Sequence, residues 1–231
     1  METISLIIGV SVLLGVAAFL FWRYVWFFRN PPRTIPPGEN IVSPADGTVV
    51  YVKDVGPGEE VLVIKQGVTA RLKDIVREDM DAPKVLIGIF MSPFNVHYNR
   101  APLAGRVEQV THHPPKMANV HMGPMHFRTV LNRLPFHENS LHIVENERTV
   151  TRIKGKFNET EMSYYVVQIA GKSVCGIDSY IPEGGQVGKG EVFGMIRIGS
   201  QVDLVVPRLA GLEIKVCPGD RVRAGETVLA E

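Results

Sequence analysis

Three short stretches of this chain carry residue types that perform chemistry when they meet. Ser43-Pro44-Ala45-Asp46-Gly47 offers a carboxylate next to a glycine, although Asp-Gly alone is a turn signal. Met91-Ser92-Pro93-Phe94-Asn95-Val96-His97-Tyr98-Asn99-Arg100-Ala101-Pro102 offers His97 just after a strongly apolar run, where a scaffold holds a functional group firmly. Phe193-Gly194-Met195-Ile196-Arg197-Ile198-Gly199-Ser200-Gln201-Val202-Asp203 offers Ser200 between two strand-like runs, where Gly-Ser by itself reads as a bulge or tight turn. Hydroxyl, imidazole and carboxylate are the types used in nucleophilic catalysis, in which a serine needs a base to take its proton at neutral pH. Taken one at a time, each stretch has a plain structural reading.

The elements that must position these residues are mostly β. Short apolar or alternating runs occur at Gly47–Val52, Glu60–Ile64, Val85–Met91, Gly105–Val110, Tyr164–Ile169, Val192–Ile198 and Gln201–Val206, most of them separated by Gly- and Pro-bearing turns. One helical stretch is expected within Gln66–Val76. Residues 111–162 hold six of the seven histidines and show little periodicity. The fold class is therefore mainly β (α+β). Ile181–Glu191 and Val216–Glu226 share a pattern of hydrophobic, Pro or Glu, Gly, Val and Gly-Glu positions, which looks like that of barrel-sandwich hybrid domains. No modifiable lysine sits at a hairpin tip, so the repeat reads as architecture.

The N-terminus is of a different kind. No charge occurs from Ile4 to Trp22, and nineteen helical residues at about 1.5 Å each span roughly 28 Å, close to a bilayer core. Trp22, Tyr24, Trp26, Phe27 and Phe28 follow as an aromatic belt. A cleaved signal peptide is the competing reading, weakened by the lack of a basic start and of small cleavage-site residues. Residues 1–28 are thus expected to be a transmembrane anchor, 29–40 a Pro-rich linker and 41–231 the catalytic domain. Arg23, Arg29 and Arg33 all follow the span, which directs the domain to the cytoplasmic side of the cell membrane. A net charge of +1 gives no reason to expect nucleic acid as a partner. Cys175 and Cys217 fit neither a disulfide framework nor a metal site and read as free thiols.

Five motifs in order give the chain a family resemblance. Phe28-Arg29-Asn30-Pro31 with Arg33-Thr34-Ile35-Pro36, Ser43–Gly47, the Ser-Pro-x-x-Val-His-x-Asn-Arg-x-Pro stretch, Asn146-Glu147-Arg148 and Phe193–Ser200 resemble the short, prokaryotic type of phosphatidylserine decarboxylase. The likeness runs from about Phe27 to about Pro207. It implies a proenzyme that cuts itself between Gly199 and Ser200, leaving a large chain 1–199 and a small chain 200–231. Ser200 becomes a covalent pyruvoyl group, an electron sink that does what pyridoxal phosphate does elsewhere. By the same resemblance His97 is the base and later the proton donor, with Asp46 its orienting carboxylate. The implied partner is a membrane phospholipid, with no metal, and homo-oligomer formation is left open. Longer members carry two histidines three residues apart in the His97 stretch, whereas Arg100 holds the second position here. Arg100 then suits a substrate phosphate or carboxylate, and either His97 serves both steps or one of His112, His113, His121 and His126 takes one; as a group these four read as a solvated loop in preference to a metal site.

Other functions compete. A membrane-anchored transport adaptor with a barrel-sandwich hybrid domain suits the anchor and the repeat, but not the inward-pointing arginines or the absence of heptads. A biotinyl or lipoyl carrier lacks its lysine. A pyruvoyl decarboxylase for a soluble amino acid would have no use for the anchor. An archaeal ether-linked serine lipid is an alternative substrate to the ester-linked one.

Overall fold

The computed structural model describes residues 2–78, 81–172, 176–197 and 199–231. The chain divides into two compact units, Met1–Pro32 and Arg33–Glu231. In the first, helix α1 (Glu2–Phe21) runs on into a π-helical turn at Trp22–Trp26. Thr3–Trp26 is long and apolar enough to cross a membrane.

The second unit is built from strands β1 (Ile41–Val42), β2 (Gly47–Val55), β3 (Glu60–Lys65), β4 (Val68–Arg71), β5 (Lys84–Met91), β6 (Tyr98–Arg100), β7 (Gly105–His113), β8 (Arg148–Phe157), β9 (Thr160–Ala170), β10 (Ile177–Ser179), β11 (Gln186–Val187), β12 (Val192–Ile196), β13 (Ser200–Pro207), β14 (Arg221–Val222) and β15 (Val228–Ala230). Three short helices, α2 (Leu72–Val76), α3 (Gly123–Val130) and α4 (His142–Glu145), lie among them. The mainly β expectation holds. All seven expected strand runs form, but the stretch Gln66–Val76 is split between β4 and α2. Ile198, expected to end a strand, and Cys175, expected to be a free thiol, lie outside the described residues, while Cys217 is an exposed free thiol. Residues 111–162 contain β8, α3 and α4, in which apolar spacing is interrupted by histidines and a proline that hid it from the sequence.

The main sheet has eight antiparallel strands in the order β11-β7-β8-β9-β13-β5-β2-β14. Its two ends repeat one another. Thr48 and Gly47 pair with Arg221 and Val222, as Arg106 and Gly105 pair with Gln186 and Val187. The register slips after Val49 in β2 and after Val107 in β7, at matching places. The two glycine-rich segments singled out in the sequence thus occupy equivalent edges. Gly47 is required there, because a Cβ would sit 2.2 Å from the Phe90 carbonyl oxygen.

Both faces of the sheet are buried. Val49, Ile87, Ile89, Val166, Val202 and Leu204 fill one core. On the other face, Val50, Leu86, Val167 and Val205 pack with residues of the β3–β4 hairpin and the three short helices. A strand buried on both sides has no solvent face, so any polar residue in it must find a partner. Ser200, Gln201 and Asp203, all at 0 % exposure, place that demand on β13.

Candidate active site

Ser200 opens the central strand β13 and is hydrogen-bonded on both sides, opposite Met91 of β5 and Ala170 of β9. Its Oγ donates to the Met91 Sδ at 3.5 Å, a weak acceptor. The strand before it, β12, belongs to a different sheet, ordered β10-β12-β6. The chain therefore changes sheets between Ile196 and Ser200. Gly199 takes φ +60° in that switch, a conformation that costs a residue with a Cβ, and among the described residues beyond its chain neighbours nothing lies within 4 Å of where a Cβ would be.

His97 stands beside the same switch. Ile196 N–H donates to the His97 carbonyl at 3.3 Å, and Met195 pairs with Tyr98. The ring is fully buried. Its orientation comes from the turn before it: Ser92 N–H and Oγ both donate to Asn95 Oδ1, at 2.8 and 2.7 Å, and His97 Nδ1 lies 3.0 Å from the Asn95 carbonyl. A carbonyl only accepts, so Nδ1 carries a proton, and whenever the ring is neutral its lone pair is on Nε2. That is the tautomer a base needs.

Asp46 has other partners. Its Oδ2 accepts from Arg33 Nη2 at 3.0 Å and its Oδ1 from Ala224 N–H at 2.8 Å. Arg33 reaches Glu226 as well, at 3.4 Å, and Thr34 N–H donates to the same carboxylate. Residues 33–40, expected to be linker, are thus tied down on this unit. Asp46 meets the His97 stretch through the backbone, since Pro44 O accepts from Arg100 N–H at 2.9 Å. Arg100 donates to the Gly190 carbonyl at 2.8 Å. Burial, and Arg33 close by, lower its pKa.

A second set of polar residues went unrecognised in the sequence. On the Ser200 face, Asn99 Oδ1 accepts from Gln168 Nε2 at 2.8 Å, and Asn99 Nδ2 points at Met91 Sδ at 3.8 Å. On the opposite face, Tyr51 donates to Asp203 at 2.9 Å, Gln201 Nε2 donates to Asp203 Oδ1 at 2.7 Å, and His142 Nε2–H donates to Gln201 Oε1 at 2.9 Å. Burial raises the Asp203 carboxyl to about 6 and lowers His142 to about 4. Arg148, completely buried, donates to the carbonyls of Asn146, Asp74, Ile75 and Ile143, and burial takes it down to about 10. This explains the Asn146-Glu147-Arg148 motif as a staple, with Asn146 also bridging Val120 and Ala170.

The remaining histidines are dispersed. His112 contacts Thr149 and Glu147, His121 accepts from Gly123 N–H, and His126 stacks near Phe90. Burial lowers the pKa of His113. No group of three or more metal-type ligands occurs among the described residues.

A pocket of about 420 Å³ opens against the site, lined by Asp46, Ser92, Asn95, His126, Arg221 and Arg223, among others. A larger groove of about 770 Å³ lies at the equivalent place on the other end of the sheet, beside Gly105, Lys154 and Gly184. There the residue matching Asp46 is Ala104; Ser200 and His97 line neither pocket. Of the two, the smaller pocket is the one lined by a predicted site residue, Asp46.

Comparison with known proteins agrees with the sequence resemblance. The family model described as phosphatidylserine decarboxylase matches residues 20–230. A protein of Methanopyrus kandleri named "Putative archaetidylserine decarboxylase proenzyme" is 38% identical over 93% of this chain and 82% of its own length. Phosphatidylserine decarboxylase proenzymes of Cytophaga hutchinsonii and Chlorobium phaeovibrioides are 35% and 34% identical, over 96% and 99% of this chain and 82% and 85% of theirs.

Proposed function

The chain belongs to the phosphatidylserine decarboxylase family, and from that premise we propose how its own residues cut the chain and then act on the lipid. The reaction is decarboxylation of phosphatidylserine to phosphatidylethanolamine and carbon dioxide by a processed proenzyme. Family membership also removes the transport-adaptor reading.

Cleavage falls between Gly199 and Ser200. His97 Nε2 takes the hydroxyl proton as Ser200 Oγ attacks the Gly199 carbonyl, and the peptide C–N bond gives way to an ester. Loss of the Ser200 α-proton expels the Gly199 carboxylate, leaving a dehydroalanine at the head of the small chain. Water then enters and ammonia leaves, and residue 200 ends as a pyruvoyl group. The observation that carries this assignment is the sheet switch: a glycine at φ +60° directly before a buried serine, with His97 bonded to the same β12 backbone. The weak thioether acceptor leaves the hydroxyl easy to deprotonate.

Residue 200 sits fully buried between Met91 of β5 and Ala170 of β9, which shields such a group from bulk water. When formed, the pyruvoyl supplies the electron sink that lets carbon dioxide leave the substrate. His97 then holds the proton that the substrate α-carbon must regain. Asp46 acts through position: with Arg33 and Ala224 it fixes the Ser43–Gly47 stretch against β6, and so orients His97. Arg100 lends positive charge to the same corner for the substrate phosphate or carboxylate. Thr3–Trp26 anchors the chain, with the catalytic unit on the cytoplasmic side because Arg23, Arg29 and Arg33 all lie C-terminal to its uncharged stretch Ile4–Trp22.

Denaturing electrophoresis with intact mass tests the assignment. We expect fragments 1–199 and 200–231, the smaller one resistant to Edman degradation and trapped by borohydride in the presence of phosphatidylserine. A single uncut chain would sink the mechanism, as would activity in Ser200→Ala. The Methanopyrus relative favours a second substrate reading, an ether-linked serine phospholipid. Parallel assays with ester- and ether-linked lipid decide between them.

A further inference from the structure

Helix α3 turns its apolar stripe outward. Met122 and Met125 pack inward at 7 % and 0 % exposure. Phe127 and Val130 lie one turn apart on the helix, Leu131 caps it, and Leu134 follows the left-handed turn at Asn132. These four apolar side chains are 67, 67, 56 and 64 % exposed. In a water-soluble surface helix that stripe would face the core. A contiguous patch of large apolar side chains left outside marks a contact surface.

The place of the stripe identifies what covers it. His126, Thr129 and Val130 form one wall of the pocket that opens on Asp46, Ser92 and Asn95. Its rim carries Arg221 and Arg223, both exposed. A Cβ built on Gly219 would lie 4.0 Å from the Asn132 and Phe136 side chains, so the turn before these arginines borders the segment that follows α3. Exposed Arg133 adds a further positive charge. An apolar stripe bordered by arginines complements a phospholipid surface, with acyl boundary for the first and phosphates for the second. A protein partner would call for a groove or a self-complementary patch, and here the stripe instead edges a headgroup-sized pocket.

We propose that α3 with Leu131 and Leu134 is an interfacial helix that beds into the bilayer surface, so that the headgroup of a phospholipid enters the adjoining pocket with Arg221 and Arg223 facing its phosphate. This rests on the reading of the substrate as a membrane lipid. It solves a physical problem for that reading, because the acyl chains stay in the bilayer while only the headgroup is drawn in.

The test uses the full chain in vesicles of phosphatidylcholine and phosphatidylserine with brominated acyl chains. The signal of each variant is read after subtracting the parent's own emission from Trp22 and Trp26. Leu131→Trp should lose emission by about twofold or more relative to non-brominated vesicles, as a side chain bedded roughly 5–10 Å deep would. Glu159→Trp, on the β8–β9 turn, should not change. Phe127→Ser combined with Leu131→Ser should lower kcat/KM on vesicle phosphatidylserine about tenfold more than on a dispersed short-chain phosphatidylserine, in line with a stripe whose contribution is buried apolar area. An unquenched Leu131→Trp variant overturns the proposal, as does an equal loss on both substrates. Absence of quenching in Leu131→Trp together with a shift from dimer to monomer in the double serine variant would assign the stripe to a second copy. If Leu131→Trp is quenched but neither lipid is decarboxylated by the parent protein, the docking surface stands and the reading of the reaction fails.

Discussion

Ser200 Oγ faces Met91 Sδ at 3.5 Å across the β13–β5 pair, so the proposed nucleophile rests against a thioether. A stronger acceptor would hold the hydroxyl proton away from the base, whereas sulfur competes weakly. Met91→Leu keeps the volume and removes this acceptor, a swap that costs under about 1.5 kcal/mol in most cores. We expect the variant to fold and to cut itself within about threefold of the parent rate, since so weak a bond is worth under about 1 kcal/mol. Loss of processing in a folded Met91→Leu chain would show that the sulfur has a larger part. A time course on denaturing gels measures this.

Gly199→Ala separates shape from space. Among the described residues other than its chain neighbours, no atom lies within 4 Å of the added methyl group, so the expected effect comes from φ +60°. Holding alanine there costs about 1–2 kcal/mol. The chain relieves that cost by rotating the Gly199 carbonyl away from Ser200 Oγ. Processing should slow by roughly tenfold, the rate equivalent of about 1.4 kcal/mol, while the thermal midpoint falls only slightly. An unchanged rate would mean that the switch conformation does not matter for attack.

Much of this arrangement was legible in the sequence, and what was hidden has specific causes. The seven strand runs show because their apolar residues alternate or run together between turns. Ser200, His97 and Asp46 show because each lies in a motif of fixed spacing. The partners of Asp46 did not show, since Ala224 lies 178 residues away and Arg33, though 13 residues away, precedes it across a Pro-rich stretch, and both reach it only in the folded chain. The Tyr51–Gln201–Asp203–His142 set was half visible: Gln201 and Asp203 alternate within an otherwise apolar strand, and a strand covered on both faces forces such residues to pair. Their partners, from β2 and α4, come from elsewhere in the chain, and α4 is only four residues long. The doubled edge was also present in the sequence, in Pro44-Ala45-Asp46-Gly47-Thr48-Val49 against Pro102-Leu103-Ala104-Gly105-Arg106-Val107, but only the paired registers show that the two are equivalent.

Asp46→Ala should act through Arg33. The Arg33 side chain is 5 % exposed and that of Asp46 is 12 %, so removing the carboxylate leaves a nearly buried cation with only the longer 3.4 Å contact to Glu226. Breaking such a pair costs about 3 kcal/mol or more. Glu226→Gln, at a more open and longer contact, should cost under about 1 kcal/mol. If Asp46 orients His97 by holding the Ser43–Gly47 stretch, Arg33→Met should slow self-cleavage as Asp46→Ala does. Normal processing in a folded Arg33→Met chain would point to direct action of Asp46 on the imidazole. Thermal midpoints and gel time courses on the same preparations give both readings.

The pH dependence of stability should expose the buried set behind Ser200. Asp203, raised to about 6 by burial, holds its proton in the folded state below that pH, while an unfolded carboxyl loses it near 4. Its contribution to stability is therefore largest near pH 4 and declines as pH rises to 6. His142, lowered to about 4, behaves in the opposite way: the folded state keeps it neutral, so its contribution is present above about 6.5 and is lost as pH falls toward 4. Burial lowers His137 to about 4 too, with the same sign. Between pH 4 and 6 each group gives a slope of up to about 1.4 kcal/mol per pH unit, with Asp203 opposing the two histidines. Removing Asp203 as Asp203→Asn leaves the histidine slopes unopposed, so the variant should lose stability on acidification about twice as steeply as the parent. His142→Gln should flatten the parent's slope. The thermal midpoint followed from pH 4 to 7 in detergent decides it: parallel parent and Asp203→Asn profiles would mean that the carboxyl does not titrate in this window.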